Sequence, residues 1–337
     1  MDVSQTDILE RARTWRRAGQ GVALATVVRT WGSSPRPVGS HLAVEARGGF
    51  VGSVSGGCIE GAVIQEAIAT IDDGQPRLLD FGVSDEQAWE VGLACGGKVQ
   101  VYVQRVEQLP ALDALLAAQS ERRAIASVTR LADGASCLLP EAIAAAHLLL
   151  SPEQRQEALA RIVADDSGPL RCDDGLFLRV YAPAPRMLVV GAVHIAQALA
   201  PMAVLAGFAV TIIDPRTAFA AAERFPEHSL CTDWPDEALA RYQPDLLSAV
   251  ITLSHDPKLD DPALVAALTS EAFYIGSLGS KRTHAQRLER LAAHGFDAAA
   301  LARIHAPVGL DLGGRMPAEI AVSILAQVLQ VRYRGRS

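Results

Sequence analysis

Two cysteines stand in glycine frames that bare the backbone around a thiol. Cys58 lies in Gly52-Ser53-Val54-Ser55-Gly56-Gly57-Cys58-Ile59-Glu60, between a glycine-rich turn and the expected first turn of a helix. A helix N-terminus favours the thiolate, the form that attacks electrophiles and ligates soft metals, so this cysteine is expected to be more reactive than an average one. Cys95 lies in Gly92-Leu93-Ala94-Cys95-Gly96-Gly97, a stretch so poor in side chains that a bulky ligand can approach. Each cysteine also reads as a small buried apolar residue, and both readings stand. Upstream, Ser33-Ser34-Pro35-Arg36-Pro37-Val38-Gly39 sets hydroxyls and a cation, Ser34 and Arg36 among them, on a stiffened loop that binds an oxyanion or simply turns.

A second set of residues suits a phosphate. Gly191-Ala192-Val193-His194-Ile195-Ala196 follows a strand-like run and matches G-x-G-x-x-G/A at its first and third special positions. The second position, where glycine lets backbone approach a pyrophosphate, is Val193, whose branched side chain crowds that approach. Asp214, with Arg216 just beyond it, ends the next strand, where an acid accepts from a ribose hydroxyl in NAD-type sites. Gly276-Ser277-Leu278-Gly279-Ser280-Lys281-Arg282 opens a helix with free N–H groups, hydroxyls and two cations, either an anion cradle or a serine N-cap beside solvated bases. Gly309-Leu310-Asp311-Leu312-Gly313-Gly314-Arg315-Met316-Pro317 reads as a tight turn before a helix, or as a second pocket wall from which Arg315 reaches a phosphate.

These loops need strands and helices to hold them. To about Val106, short β-rich runs such as GVALATVVRT, SHLAVEA, RLLDFG and KVQVYVQRV alternate with glycine loops and a helix ending near Ile71. The next stretch holds a helix near Leu109 to Gln119, a strand in ERRAIASVTRL, a helix near Pro152 to Val163, and a hairpin turning at Asp174-Gly175. Ala182-Pro183-Ala184-Pro185 is a stiff linker. Beyond it strand and helix alternate to a last helix from Pro317, with one helix expected from Asp261 and another from Lys281, the pattern of a doubly wound parallel sheet. The expected organisation is residues 1–106, an intermediate α/β segment 107–182 packed with them, and a Rossmann-like domain 187–337. The fold class is α/β, a Rossmann-like C-terminal part joined to an N-terminal α+β domain.

Composition narrows the function. With 337 residues the chain exceeds one comfortable core, and its formal net charge of -7 disfavours a nucleic-acid partner. Met187 to Ile213 carries no formal charge and is long enough for a membrane span, but Gly191 and Gly207 cut it into strand, helix and strand. The start has no signal-peptide pattern, and five cysteines without a C-x-x-C pair fit free thiols in a reducing, cytoplasmic setting. The cysteine-bearing first part has no zinc spacing, no G-x-S-x-G elbow and no P-loop.

Together GSSPRPVG, GSVSGGCIE, GLACGG, LVVGAVHIAQALA, YIGSLGSKRTHAQR and PVGLDLGGRMPAEIAVSILAQ resemble the XdhC/CoxI family of xanthine dehydrogenase accessory factors, in order and across both parts of the chain. The resemblance implies a maturation chaperone rather than an enzyme. It would bind molybdenum cofactor, as molybdopterin or its cytosine dinucleotide form, support sulfuration by a cysteine desulfurase, and deliver the cofactor to an apo molybdenum hydroxylase of the xanthine dehydrogenase family. In that reading Cys58 and Cys95 suit the metal-sulfur end, with a possible contact to molybdenum, since soft ligands pair with thiophilic centres. Gly56, Gly57, Glu60, Ser34, Arg36, Gly96 and Gly97 surround them. Gly191, His194, Asp214, Arg216, Gly276, Ser277, Gly279, Ser280, Lys281, Arg282, Gly309 and Asp311 suit the phosphate or nucleotide end. The sequence departs from the family pattern at Val193 and at Arg315-Met316. A homodimer is the expected assembly by fold analogy. The alternative is an NAD(P)-dependent oxidoreductase using the Rossmann part.

Overall fold

The computed structural model describes residues 5–32, 34, 36–82, 97–106, 112–140 and 148–334. The chain divides into two compact units, Met1–Pro183 and Ala184–Ser337.

The first unit opens with α1 (Gln5–Arg17), β1 (Val22–Trp31), β2 (His41–Glu45), β3 (Phe50–Gly52), α2 (Glu60–Asp73), β4 (Arg77–Phe81) and β5 (Lys98–Arg105). It continues through α3 (Leu112–Ser120), β6 (Ile125–Arg130), β7 (Ser136–Leu139), α4 (Pro152–Ala164), β8 (Gly168–Leu170) and β9 (Asp173–Tyr181). Five strands form an antiparallel sheet in the order β3-β2-β1-β5-β4, and four form another in the order β7-β6-β9-β8. Side chains alternate across a strand, and here both faces of β1 are covered. Ala23, Ala25 and Val27 pack with Val63 and Ala67 of α2. Val22 and Leu24 pack with Ile8 and Leu9 of α1, Leu115 of α3, Ile125 of β6 and Tyr181 of β9. That second cluster ties the intermediate segment into the same core as the first five strands.

The second unit runs β10 (Arg186–Val190), α5 (His194–Leu205), β11 (Ala209–Ile213), β12 (Ser229–Cys231), α6 (Pro235–Tyr242), β13 (Ser248–Thr252) and α7 (Pro257–Leu268). Then come β14 (Tyr274–Ser277), α8 (Lys281–Ala293), α9 (Ala298–Leu301), β15 (Ile304–His305) and α10 (Pro317–Arg334). All six strands are parallel, in the order β12-β11-β10-β13-β14-β15. Met187 and Val189 face α5 and α10, while Leu188 and Val190 face α6, α7 and α8. Burial on both faces explains the uncharged Met187 to Ile213 run, and among the described residues no helix is long and apolar enough to cross a membrane. The order reverses between β10 and β13, and ligands of open α/β sheets bind outside the carboxyl ends of strands at such a point.

Two local expectations are corrected. The β8–β9 hairpin turns at Arg171-Cys172 and not at Asp174-Gly175, because the Glu157 carboxylate accepts from Arg171 N at 2.8 Å and from the Cys172 thiol at 3.2 Å, pinning the chain there. Helix α7 begins at Pro257 and not at Asp261, since Asp256 caps it by accepting from Lys258 N at 2.9 Å and proline fits a first helical position.

Candidate functional site

In the first unit the register brings two loops and the roots of a third segment to one end of the five-stranded sheet. Thr26 pairs with His41, Leu42 with Gly52, Trp31 with Lys98, and Phe81 with Val99. Strands β1, β3 and β4 therefore end, and β2 and β5 begin, toward the same side. The loop after Trp31 carries Ser34 and Arg36, both half-buried, and Ser34 Oγ donates to Arg36 O at 2.9 Å. The loop after Gly52 carries Cys58. The third segment has its described roots at Gly82 and Gly97, and a Cβ on Gly32 would stand 3.7 Å from Gly97 Cα. Cys95 and Gly96 lie outside the described residues.

The Cys58 loop is organised by an anion of its own. Glu60, the first residue of α2, turns its buried carboxylate back into the loop. Its Oε1 accepts from Ser53 Oγ at 2.6 Å, Val54 N at 3.1 Å, Ser55 N at 2.9 Å and Gly56 N at 3.1 Å. Its Oε2 accepts from Gly57 N at 2.9 Å and from the Ser55 hydroxyl. Burial pushes the Glu60 pKa up, but the Ser53 and Ser55 hydroxyls and the Ser55 amide outweigh it and hold the group down at about 2. Ser55 Oγ in turn accepts from Cys58 N at 3.0 Å and Ile59 N at 3.1 Å. The amides of Gly56 and Gly57 are thus spent inside the protein. What the loop presents outward is the exposed Cys58 thiol beside Gly57, which has open space where a side chain would lie. Among the described residues no group of three or more His, Cys, Asp or Glu could hold a metal ion.

In the second unit the glycine turns leave the carboxyl ends of β10 and β14 and precede α10. Gly191, with φ +105, stands where a Cβ would come 2.9 Å from Ser254 N, so glycine here lets the β10 and β13 loops touch. Asp214 is fully buried. Its Oδ1 accepts from Arg216 N at 3.0 Å and Arg216 Nε at 2.8 Å, and its Oδ2 from Ala192 N at 2.8 Å and Arg216 Nη2 at 2.7 Å. A carboxylate offers about four lone-pair sites, and all are taken. The position that accepts a ribose hydroxyl in NAD-type sites is sealed in this chain by its neighbour Arg216. Burial pushes the Asp214 pKa up, while Arg216 and the two amides pull it below the usual range.

The turn before α10 is closed in a similar way. Glu319 Oε2 accepts from Arg315 N at 2.8 Å and Met316 N at 3.0 Å. Gly309 packs on α10 and gives its N–H to Gln327 Oε1 at 2.9 Å, whereas Asp311 is exposed. Gly276 is packed against Tyr274 and Val308, and buried Ser277 shares a 2.6 Å hydrogen bond with Thr252. His194 is exposed as the first residue of α5.

The turn before α8 differs. Ser280 caps the helix by accepting from Thr283 N at 3.1 Å, and Lys281 and Arg282 are exposed. Beneath lies a buried pair that sequence reading missed. Arg287 Nη2 donates to Leu278 O at 2.9 Å and stands 3.6 Å from Asp260 Oδ2, while Asp260 Oδ1 accepts from Ser254 Oγ at 2.6 Å. Burial raises the Asp260 pKa and lowers that of Arg287, each against the attraction of the other. The available signal was helical spacing: Arg287 lies four residues before the buried Leu291, on the core side of α8. For Glu319 it was the Pro317-Ala318-Glu319 order, an acid at the third helical position.

The model described as the XdhC Rossmann domain matches residues 187–328, and that described as the XdhC and CoxI family matches residues 15–82. A Bacillus subtilis protein named as a probable xanthine dehydrogenase subunit is 28% identical over 317 residues, covering 92% of this chain and 93% of its own. An Escherichia coli protein named molybdenum cofactor insertion chaperone PaoD is 29% identical over 320 residues, covering 94% of this chain and 85% of its own. A Bacillus halodurans crystal structure, described as that of a xanthine dehydrogenase, superposes with a TM-score of 0.77 at 23% identity over 98% of this chain and 96% of the other, a likeness of fold. Both units are matched, in order, by models of one family: the chain belongs to the XdhC and CoxI family.

Proposed function

We propose that the protein is a maturation factor that binds molybdenum cofactor, as molybdopterin or its cytosine dinucleotide form, supports its sulfuration, and inserts it into a molybdenum hydroxylase of the xanthine dehydrogenase family. The observation that carries this reading is the Cys58 loop. An exposed thiol stands beside a bare glycine on a loop whose own amides are already satisfied by Glu60. Such a loop does not compete for an anion. It holds a soft sulfur ligand in place with room beside it for a large flat molecule. The name of the Escherichia coli relative, a molybdenum cofactor insertion chaperone, supports the same reading.

The cargo supplies a thiophilic metal centre at one end and a phosphate or nucleotide at the other. Cys58, with Cys95 as the second thiol, has the chemistry for the first, and the strand-end turns of the second unit have the chemistry for a phosphate or nucleotide. A cysteine desulfurase as sulfur donor, an apo-hydroxylase as client and a homodimeric assembly belong to the same proposal. An NAD(P)-dependent oxidoreductase fits less well, because Asp214 is closed by Arg216 and Val193 stands at the second fingerprint position.

Activation of an apo-hydroxylase by cofactor-loaded protein tests the proposal. Cys58→Ser and Cys95→Ser are expected to lower client activation about tenfold or more while leaving the circular dichroism spectrum and the unfolding midpoint unchanged. Full activation by both variants would remove the two cysteines from the proposed role.

A further inference from the structure

The glycine turns of the second unit look alike in sequence and differ in what lies beneath them. Under the β10–α5 turn is a carboxylate, Asp214, bonded to Ala192 N and balanced by Arg216. The turn before α10 is filled by Glu319, and the start of α7 by Asp256. Under the β14–α8 turn is a guanidinium. Arg287, 2% exposed, reaches back from the second turn of α8, with Nη2 on Leu278 O at 2.9 Å. A Cβ on Gly279 would stand 3.7 Å from that same nitrogen, so the side chain points into the turn. Its Nε and Nη1 have no hydrogen-bond partner, and neither has Asp260 Oδ2.

Above Arg287 the turn is open. Among the described residues, the amides of Gly279, Ser280, Lys281 and Arg282 donate to no protein acceptor, and the Ser280 hydroxyl is engaged with Thr283 alone, accepting from its N–H at 3.1 Å and sharing a 2.9 Å hydrogen bond with its hydroxyl. Helix α8 has 13 residues, long enough for its N-terminal amides to carry a substantial partial positive charge. Lys281 and Arg282 flank these amides on the solvent side. Open amides and one buried cation meet at a turn whose next two residues are exposed bases, and no internal carboxylate accepts from those amides. An oxyanion would give the amides their acceptor and a negative charge to the guanidinium, which faces Asp260 at 3.6 Å without a hydrogen bond to it.

We infer that the β14–α8 turn, Leu278 to Thr283, is the oxyanion-binding loop of this unit, taking a phosphate or pyrophosphate group of a nucleotide-bearing ligand, with Arg287 as a positioning residue beneath it. The inference rests on the reading that this unit holds the phosphate or nucleotide end of the cofactor, and it names the turn that does so. The position is two strands along the sheet from the β10–α5 turn that gives the Rossmann fingerprint its role, with β13 between them. The ligand phosphate therefore lies on the β14 side of the switch point, away from Val193.

Calorimetric titration of the full-length protein with inorganic pyrophosphate tests the assignment at fixed ionic strength. Lys281→Ala with Arg282→Ala is expected to weaken binding about tenfold or more, and Val193→Gly to leave it within twofold. Asp260→Asn removes the charge opposing the ligand and is expected to tighten binding severalfold, an outcome a purely structural pair would not give. Arg287→Met combined with Asp260→Asn removes both buried charges, keeps the fold, and is expected to bind about tenfold more weakly than Asp260→Asn alone. No pyrophosphate binding by the unaltered protein, or equal affinity after Lys281 and Arg282 are replaced, would overturn the site. Unchanged affinity in both Asp260 variants would remove Arg287 from it. Protein that carries a pterin yet ignores pyrophosphate refutes this site alone, and protein that binds pyrophosphate at the turn but never a pterin refutes the cofactor reading alone.

Discussion

Glu60→Gln is expected to lower the stability of the first unit by about 3 kcal/mol at neutral pH, and the loss should shrink in acid. The carboxylate sits at about 2 in the folded chain against an ordinary value of 4.5. The folded state therefore favours the ionised form, and its contribution is complete above about pH 4.5 and disappears as the pH falls toward 2. Glutamine keeps one acceptor oxygen for a loop that presents six donors, four of them backbone amides. Denaturant unfolding followed by tryptophan emission reads the first unit, which holds Trp15, Trp31 and Trp89, the second unit having Trp234. Cys58 in the variant should also react faster with a thiol reagent, because its loop is no longer pinned. Identical denaturant midpoints for the variant and the unaltered chain at pH 7 would contradict this account of the loop.

Asp214→Ala is expected to destabilise the second unit by about 3 kcal/mol, since it strips four hydrogen bonds from a fully buried carboxylate and leaves Ala192 N without an acceptor. Arg216 can turn to water, which limits the loss. Asp214→Asn retains an acceptor for Ala192 N and should lose roughly half as much. Hydrogen exchange at the β10–α5 turn localises the effect: protection should fall at Ala192 and Val193 first. An Asp214→Ala chain with unchanged exchange there would mean that the carboxylate does not organise the turn.

Much of the architecture was legible from periodicity and punctuation. The apolar run after Met187, cut by Gly191 and Gly207, reads directly as β10, α5 and β11, and Pro317 marks the start of α10 because proline fits a first helical position. The sites were harder to read because the decisive contacts lie between a loop and a side chain whose direction spacing does not reveal. Gly56 and Gly57 read as bare backbone around a thiol until Glu60 is seen taking up their amides. Asp214 looks like a ribose acceptor until Arg216, two residues on, fills its lone pairs. The same reason moved the β8–β9 turn, which Glu157 fixes from another helix. Nothing in KRTHAQRLERLAA except its register with Leu291 sets Arg287 apart from the exposed bases of the same helix, yet it is buried.

The pattern across the glycine loops has a physical logic. A run of exposed amides at a helix start is an anion site by default, and a chain that must keep one such site selective gains by closing the others. Glu60, Asp256 and Glu319 do this with carboxylates a few residues away, and Asp214 does it from the end of the neighbouring strand. Each closed turn is tied down by its carboxylate, and the one in the first unit lies beside the Cys58 thiol.

The central claim, that this chain carries molybdenum cofactor, is tested most directly by mass spectrometry of the small molecules released from protein purified out of a host that makes the cofactor. The account predicts a pterin, as molybdopterin or its cytosine dinucleotide form, near one per chain and depleted in Cys58→Ser. Protein that releases no pterin, and retains none after incubation with a loaded donor, would contradict it.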